Sequence, residues 1–124
     1  MSKMTYTRQV TDKPLLVLRG EIKTPPMSVE ARREVGFLIR QLQQGESVGM
    51  PHSRPMPGIG KRCHELRVTD KKKEWRVIYR IDHDAVVVAD VFEKKTRTTR
   101  HGIIEECRRR LRQYDLAAGG EDDG

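Results

Sequence analysis

Three stretches decide the fold: Cys63-His64-Glu65-Leu66-Arg67-Val68, Trp75-Arg76-Val77-Ile78-Tyr79-Arg80-Ile81, and Val86-Val87-Val88-Ala89-Asp90-Val91-Phe92. In the first, His64, Leu66 and Val68 alternate with Cys63, Glu65 and Arg67. In the second, Trp75, Val77, Tyr79 and Ile81 alternate with Arg76, Ile78 and Arg80. A period of two puts alternate side chains on opposite faces, so both runs read as strands. The third run is apolar on both faces, as a central strand should be. Charged turns, Thr69-Asp70-Lys71-Lys72-Lys73-Glu74 and Asp82-His83-Asp84-Ala85, join them in order. Three consecutive antiparallel strands are expected.

Upstream, Pro14-Leu15-Leu16-Val17-Leu18 reads as a first strand entered through a proline, tolerable at a strand start. Pro25-Pro26 interrupts any continuation. Ser28 stands where an N-cap belongs, and Val35, Leu38, Ile39 and Leu42 recur at i, i+3, i+4 and i+7 before Gly45. That spacing predicts an amphipathic helix over 28–44, ended at glycine. Residues 45–62 hold four glycines and three prolines and read as a long loop, either functional or merely wrapped over the surface. Downstream, Ile103, Ile104, Cys107, Leu111 and Tyr114 form the core stripe of a helix near 99–115, with Arg108, Arg109, Arg110 and Arg112 directed outward. Residues 117–124 are expected to be a disordered acidic tail. The expected fold is α+β, one small domain over 1–116: an antiparallel twisted sheet of three to four strands packed against an N-terminal and a C-terminal helix.

At 124 residues the chain has length for one modest core. It contains no apolar run of membrane-spanning length, and Met1–Tyr6 lacks the apolar region of a secretory signal, so a cytoplasmic location is expected. Cys63 and Cys107 read as reduced structural thiols. Neither a phosphate-binding glycine loop nor a metal-ligand spacing is present, and the expectation is a protein without metal or cofactor.

Charge localises the function. The chain carries +7, with +5 in residues 61–80 and +6 in residues 94–114, around an acidic −4 segment in residues 81–93. Clustered Lys and Arg point to a polyanionic partner, nucleic acid or an acidic protein segment. If the charged turn spans 69–74, Arg67 faces Arg76. If His83-Asp84 are the central turn residues, Arg76 faces Val91, and Lys95 falls on Val91's side. Arg67, Arg76 and Lys95 would then share one face as a phosphate cradle. Opposed arginines repel, so a carboxylate or a bound anion must offset them, and Glu65 is the internal candidate. His101, which follows Lys94-Lys95-Thr96-Arg97, is the best-placed proton-transfer group.

The order of strand, helix, Pro/Gly-rich loop, Glu65-Leu66-Arg67, Trp75-Arg76-Val77-Ile78-Tyr79-Arg80, an apolar strand, Glu93-Lys94-Lys95-Thr96-Arg97 and a closing helix resembles the RelE/ParE toxin superfamily, in its HigB-like, phage-related branch. The resemblance covers roughly residues 14–115. It implies the toxin of a type II toxin–antitoxin pair, partnered by a cognate antitoxin, a helix-turn-helix HigA-like protein. In RelE-like members it further implies a metal-independent endoribonuclease acting on mRNA in the ribosome. There Arg67, Arg76 and Lys95 match basic site positions, and His101 falls near a position where RelE uses a tyrosine. Lys61, Arg62, Lys94 and Arg97 are expected to contact RNA. Glu65 and Cys63 stand where RelE has lysines. The alternative implied by the ParE side is a non-catalytic toxin that binds a protein target such as DNA gyrase.

Overall fold

The computed structural model describes residues 12–18, 26–95 and 101–119. The elements are β1 (Leu15–Val17), α1 (Val29–Gln43), β2 (Ser53–Pro55), β3 (Cys63–Asp70), β4 (Lys73–Ile81), β5 (Val86–Lys94) and α2 (His101–Ala117). The expected α+β domain is present, with a five-stranded sheet in the order β1-β5-β4-β3-β2. β1 runs parallel to β5, and every other pairing is antiparallel. The fifth strand comes from inside the Pro/Gly-rich segment: Ser53, Arg54 and Pro55 pair with Leu66, Glu65 and His64. Its proline sits at the sheet edge, where a missing N–H leaves no central ladder bond unmade.

The alternation of β3 and β4 divides the core. Leu66, Val68, Trp75, Val77, Tyr79, Val86 and Val88 pack beneath Ala31, Leu38 and Leu42 of α1. On the other face Cys63, Ile78, Val87 and Ala89 meet Cys107 and Leu111 of α2, together with Met56 and Ile59. A helix on each face makes three layers. α1 starts where Ser28 Oγ accepts the Ala31 N–H at 3.1 Å. The Ser28 N–H donates to Asp70 Oδ2 at 2.9 Å, tying the helix start to the end of β3 and lowering the Asp70 pKa. After α1, Gly45 takes φ 90°, a conformation glycine adopts without steric cost.

The β3–β4 register is the expected one, with Arg67 opposite Arg76 and Val68 opposite Trp75. Near the Asp82–Ala85 turn β4 and β5 also pair as expected, Tyr79 with Val88 and Ile81 with Val86. Between Ile78 and Tyr79 the register shifts by one, so Arg76 opposes Phe92, not Val91. A β-bulge inserts one extra residue into a strand, and a one-residue slip exchanges its faces beyond that point. Lys94 therefore shares the face of Arg76. Lys95 follows the last residue of β5 and is exposed, so its expected place in the cradle is corrected. Arg110, expected to point outward, instead donates to the Ala89 carbonyl at 2.7 Å and lies 3.5 Å from Asp90 at the bulge.

The last helix begins at His101 among the described residues and runs to Ala117. Residues 99 and 100 of its expected span, and 120–124 of the expected tail, lie outside them. Among the described residues, no helix is long and apolar enough to cross a membrane.

Candidate functional site

On the α2 side of the sheet, register sets out three rows of side chains across β2 to β5. Arg54 and Glu65 precede Ile78 in the first, Arg67 and Arg76 precede Phe92 in the second, and Thr69 and Glu74 precede Lys94 in the third. Adjacent strands lie about 5 Å apart, so Arg54, Arg67, Arg76 and Lys94 form one compact basic surface. Two carboxylates, Glu65 and Glu74, sit among them.

Glu65 is fully buried, with Oε1 3.2 Å from Arg54 Nε and 3.8 Å from Arg76 Nε. It is the offset that the opposed Arg67–Arg76 pair requires. Arg76 is 4% exposed. Its Nη1 donates to the Trp75 carbonyl at 3.0 Å and to Glu74 Oε1 at 3.3 Å, while Thr69 Oγ1 holds Glu74 from the neighbouring strand. Arg76 is thus fixed as the base of the cradle, and the half-buried Arg67, Arg54 and Lys94 form its rim. Burial lowers the Lys94 pKa; Glu65 acts in the opposite direction, and Arg76, Arg54 and Arg67 depress it further. A lysine pressed among arginines has strong reason to accept an anion, because a phosphate relieves the repulsion around it.

The remaining expected residues scatter. His101 opens α2 with its side chain 84% exposed and Nε2 3.7 Å from Glu105 Oε2. Lys61 and Arg62 lie beyond the other end of β3. Cys63, next to Arg62, is four strand residues from Arg67, roughly 13 Å. There Arg62 donates to the Ile81 carbonyl at 3.0 Å and lines a groove of about 1030 Å³ with Lys61, Arg80, Arg108, Arg112 and Asp115. Arg97 lies outside the described residues. His64, on the α1 face, stacks on Tyr79, whose hydroxyl lies 2.6 Å from Ser53 Oγ.

Arg54 is the site residue that sequence reasoning missed. A three-residue strand between prolines has too few positions to show a period, and only its pairing with β3 sets Arg54 beside Glu65. Among the described residues, no group of three or more His, Cys, Asp and Glu side chains could hold a metal ion. The chemistry available to the cradle is electrostatic: it can hold a phosphodiester and stabilise charge that develops on it.

The comparisons with curated proteins and with solved structures gave no match. A family model described as Phage derived protein Gp49-like (DUF891) matches residues 25–112, more than two-thirds of the chain, from just before α1 to within α2. That span contains β2 to β5 and every residue of the basic cradle. The chain belongs to the phage-derived Gp49-like protein family.

Proposed function

We propose that the protein is the toxin of a type II toxin–antitoxin pair, a metal-independent endoribonuclease that cuts mRNA on the ribosome. The Gp49-like family is RelE/ParE-like and its toxins belong to toxin–antitoxin systems, which supports the first half of this reading. The observation that carries the second half is the cradle itself, with Arg67, Arg54 and Lys94 around a fixed Arg76. In the reaction the ribose 2′-hydroxyl releases its proton to solvent as its oxygen attacks the adjacent phosphorus, a 2′,3′-cyclic phosphate forms, and the bond to the 5′-oxygen breaks. The phosphate gains charge on the way, and preorganised guanidinium and ammonium groups lower its energy. His101, exposed at the head of α2 with its Nε2 3.7 Å from Glu105 Oε2, supplies the proton to the leaving 5′-oxygen. Lys61, Arg62 and Arg97 extend the RNA contact beyond the scissile phosphate.

The test is expression of the chain followed by mapping of mRNA ends. Translation should halt, with cuts phased to codons, and Arg67→Ala and Lys94→Ala should abolish the cuts. Arrested growth with DNA damage and intact mRNA would instead establish the ParE-like reading, a toxin that acts by binding a protein such as DNA gyrase. One observation favours that second reading: the near-complete burial of Arg76 limits its direct contact with any substrate.

A further inference from the structure

The end of the sheet away from the cradle holds a second basic surface. Cys63 pairs with Arg80 there, on the face that also carries Arg67 and Arg76, and the last turns of α2 close one side. The groove between them, of about 1030 Å³, stands at the upper end of the size range of small-ligand clefts. Arg80 binds both oxygens of Asp82 and both of Asp115, so these two lining carboxylates are already committed to a cation. Among the described lining residues that leaves Lys61, Arg62, Arg108 and Arg112 against the carboxylate of Asp84. Arg62 stands at φ 63°, a left-handed conformation that is costly outside glycine. Ile81 fixes it twice: the Arg62 carbonyl accepts the Ile81 N–H at 3.1 Å, and Arg62 Nε donates to the Ile81 carbonyl at 3.0 Å. The rest of the guanidinium is left at the groove, with Nη2 3.6 Å from Asp82 Oδ1. Arg108 is held by the Gly58 carbonyl at 3.1 Å. Arg112 lies one turn further along the exposed side of α2, and such a like-charge pair weakens a helix unless an anion offsets it. Among the described residues, neither Lys61 nor Arg112 has a hydrogen-bond or ion-pair partner.

We infer that this groove is a second, separate site for a nucleotide 5′-phosphate, either a free nucleotide or the phosphorylated end of an RNA. The inference rests on the RNA reading above where it places Lys61 and Arg62 on RNA, and it narrows that contact to a terminal phosphate. Lys61, Arg62 and Arg112 take the phosphate oxygens, with Arg62 already fixed in place. A bare anion would leave the rest of the groove unused. Ile59, Leu111 and the half-buried Tyr114 give it an apolar side on which a planar base can lie. Burial first, then the charges of Asp82 and Asp84, raise the Tyr114 pKa, which sets that ring beside both carboxylates. Asp84, exposed at the turn, is there to accept from a ribose hydroxyl or a base amine. Cys63 is four strand residues from Arg67, so the groove and the cradle are separable by mutation.

The experiment titrates the full chain, by calorimetry, with AMP, adenosine, inorganic phosphate and an uncleavable 2′-O-methyl trinucleotide with and without a 5′-phosphate. AMP should bind at least about tenfold more tightly than adenosine or phosphate, and the trinucleotide should lose at least as much without its 5′-phosphate. Arg112→Ala and Lys61→Ala should each weaken AMP about tenfold with circular dichroism unchanged, while Arg67→Ala stays within about twofold of wild type. A phosphorylated trinucleotide that binds more tightly than AMP, with the gain lost in Arg67→Ala, supports the site with an RNA end as its source. Equal affinities support it with a free nucleotide. AMP binding that Arg67→Ala removes and Arg112→Ala spares overturns the groove, as does wild type that binds neither AMP nor the phosphorylated trinucleotide. Phosphate as tight as AMP overturns the nucleotide assignment. Expression separates this outcome from the function above: intact mRNA beside AMP bound in the groove sinks the nuclease alone, and codon-phased cuts without AMP or trinucleotide binding sink the groove alone.

Discussion

Glu65 and Arg76 form a diagonal ion pair between β3 and β4, carboxylate to Nε at 3.8 Å, with both side chains almost wholly inside the protein. Register sets Glu65 opposite Ile78 and Arg76 opposite Arg67, so the pair spans two rows within the buried base of the cradle. The same carboxylate also holds Arg54 at 3.2 Å. One buried anion therefore organises two cations from strands on either side of it.

Removing that anion should cost more than removing any one cation. Glu65→Gln leaves Arg76 buried without its carboxylate and should destabilise the fold by about 3–5 kcal/mol. The double variant Glu65→Leu/Arg76→Met should recover much of that loss, because neither charge remains to be desolvated. Urea denaturation of both variants checks this, and equal stability of the single and double variants would remove the pair from the fold's energetics.

The bulge in β5 makes Lys94 and Lys95 unequal. Lys94→Ala should lower the rate of RNA cleavage on the order of 10²-fold or more, the scale seen when one preorganised donor to a developing charge is removed. Lys95→Ala should change it by less than about threefold, within the usual range for an exposed charge outside the contact. Single-turnover cleavage rates of the two variants decide between the bulged and the unbulged register as the functional one.

Alkaline titration should expose Lys94 a second way. Its pKa lies below the ordinary 10.5, chiefly because of burial. The ammonium therefore discharges at lower pH than that of a free lysine, and affinity for an RNA oligonucleotide should fall as pH rises through that depressed value. Lys94→Arg keeps its charge and should remove this early decline. For stability the sign is the opposite. The unfolded chain holds the proton more tightly, so the unliganded fold gains stability as pH rises through the window between the depressed value and 10.5.

The far end of α2 is tied down by Arg80. Its guanidinium donates to both oxygens of Asp82 at 2.7 and 2.9 Å, and to both oxygens of Asp115 at 3.1 and 2.7 Å. These contacts raise the Arg80 pKa, Asp115 first among them. Asp115→Asn should destabilise the protein by about 1–3 kcal/mol, the range for charge-assisted hydrogen bonds. Thermal unfolding in 0.1 M and 1 M salt should give similar differences, since a half-buried bidentate pair is poorly screened.

Both cysteines should be chemically silent in the native state. Burial pushes the Cys63 thiol up to about 11 and the Cys107 thiol up to about 12, leaving little thiolate at neutral pH. A chromogenic disulfide reagent should titrate two thiols in guanidinium and nearly none over minutes without it. Rapid reaction of the folded protein would show that α2 lifts from the sheet.

Periodicity of two and of 3.6 identifies β3, β4 and both helices. Leu66, Val68, Trp75, Val77 and Tyr79 were legible as one face of a sheet because each sits two residues from the next, and Val35, Leu38, Ile39 and Leu42 were legible as a helix stripe for the corresponding reason. The β3–β4 pairing followed from turn length alone. β2 was hidden because three residues show no period. The parallel pairing of β1 with β5 was hidden because nothing local says which edge a short strand joins.

By itself, then, the sequence determined the alternating faces, the two amphipathic helices, the Arg67–Arg76 opposition and the need for a carboxylate to offset it. Only the tertiary structure decided that Glu65 reaches Arg54 as well as Arg76, and which lysine joins them. A pattern of alternation is local, and it survives any slip of one strand against the next. The bulge at Ala89 is such a slip, and Arg110 donates to the Ala89 carbonyl at that point. That one residue of offset carries Lys94 into the cradle and leaves Lys95 outside it.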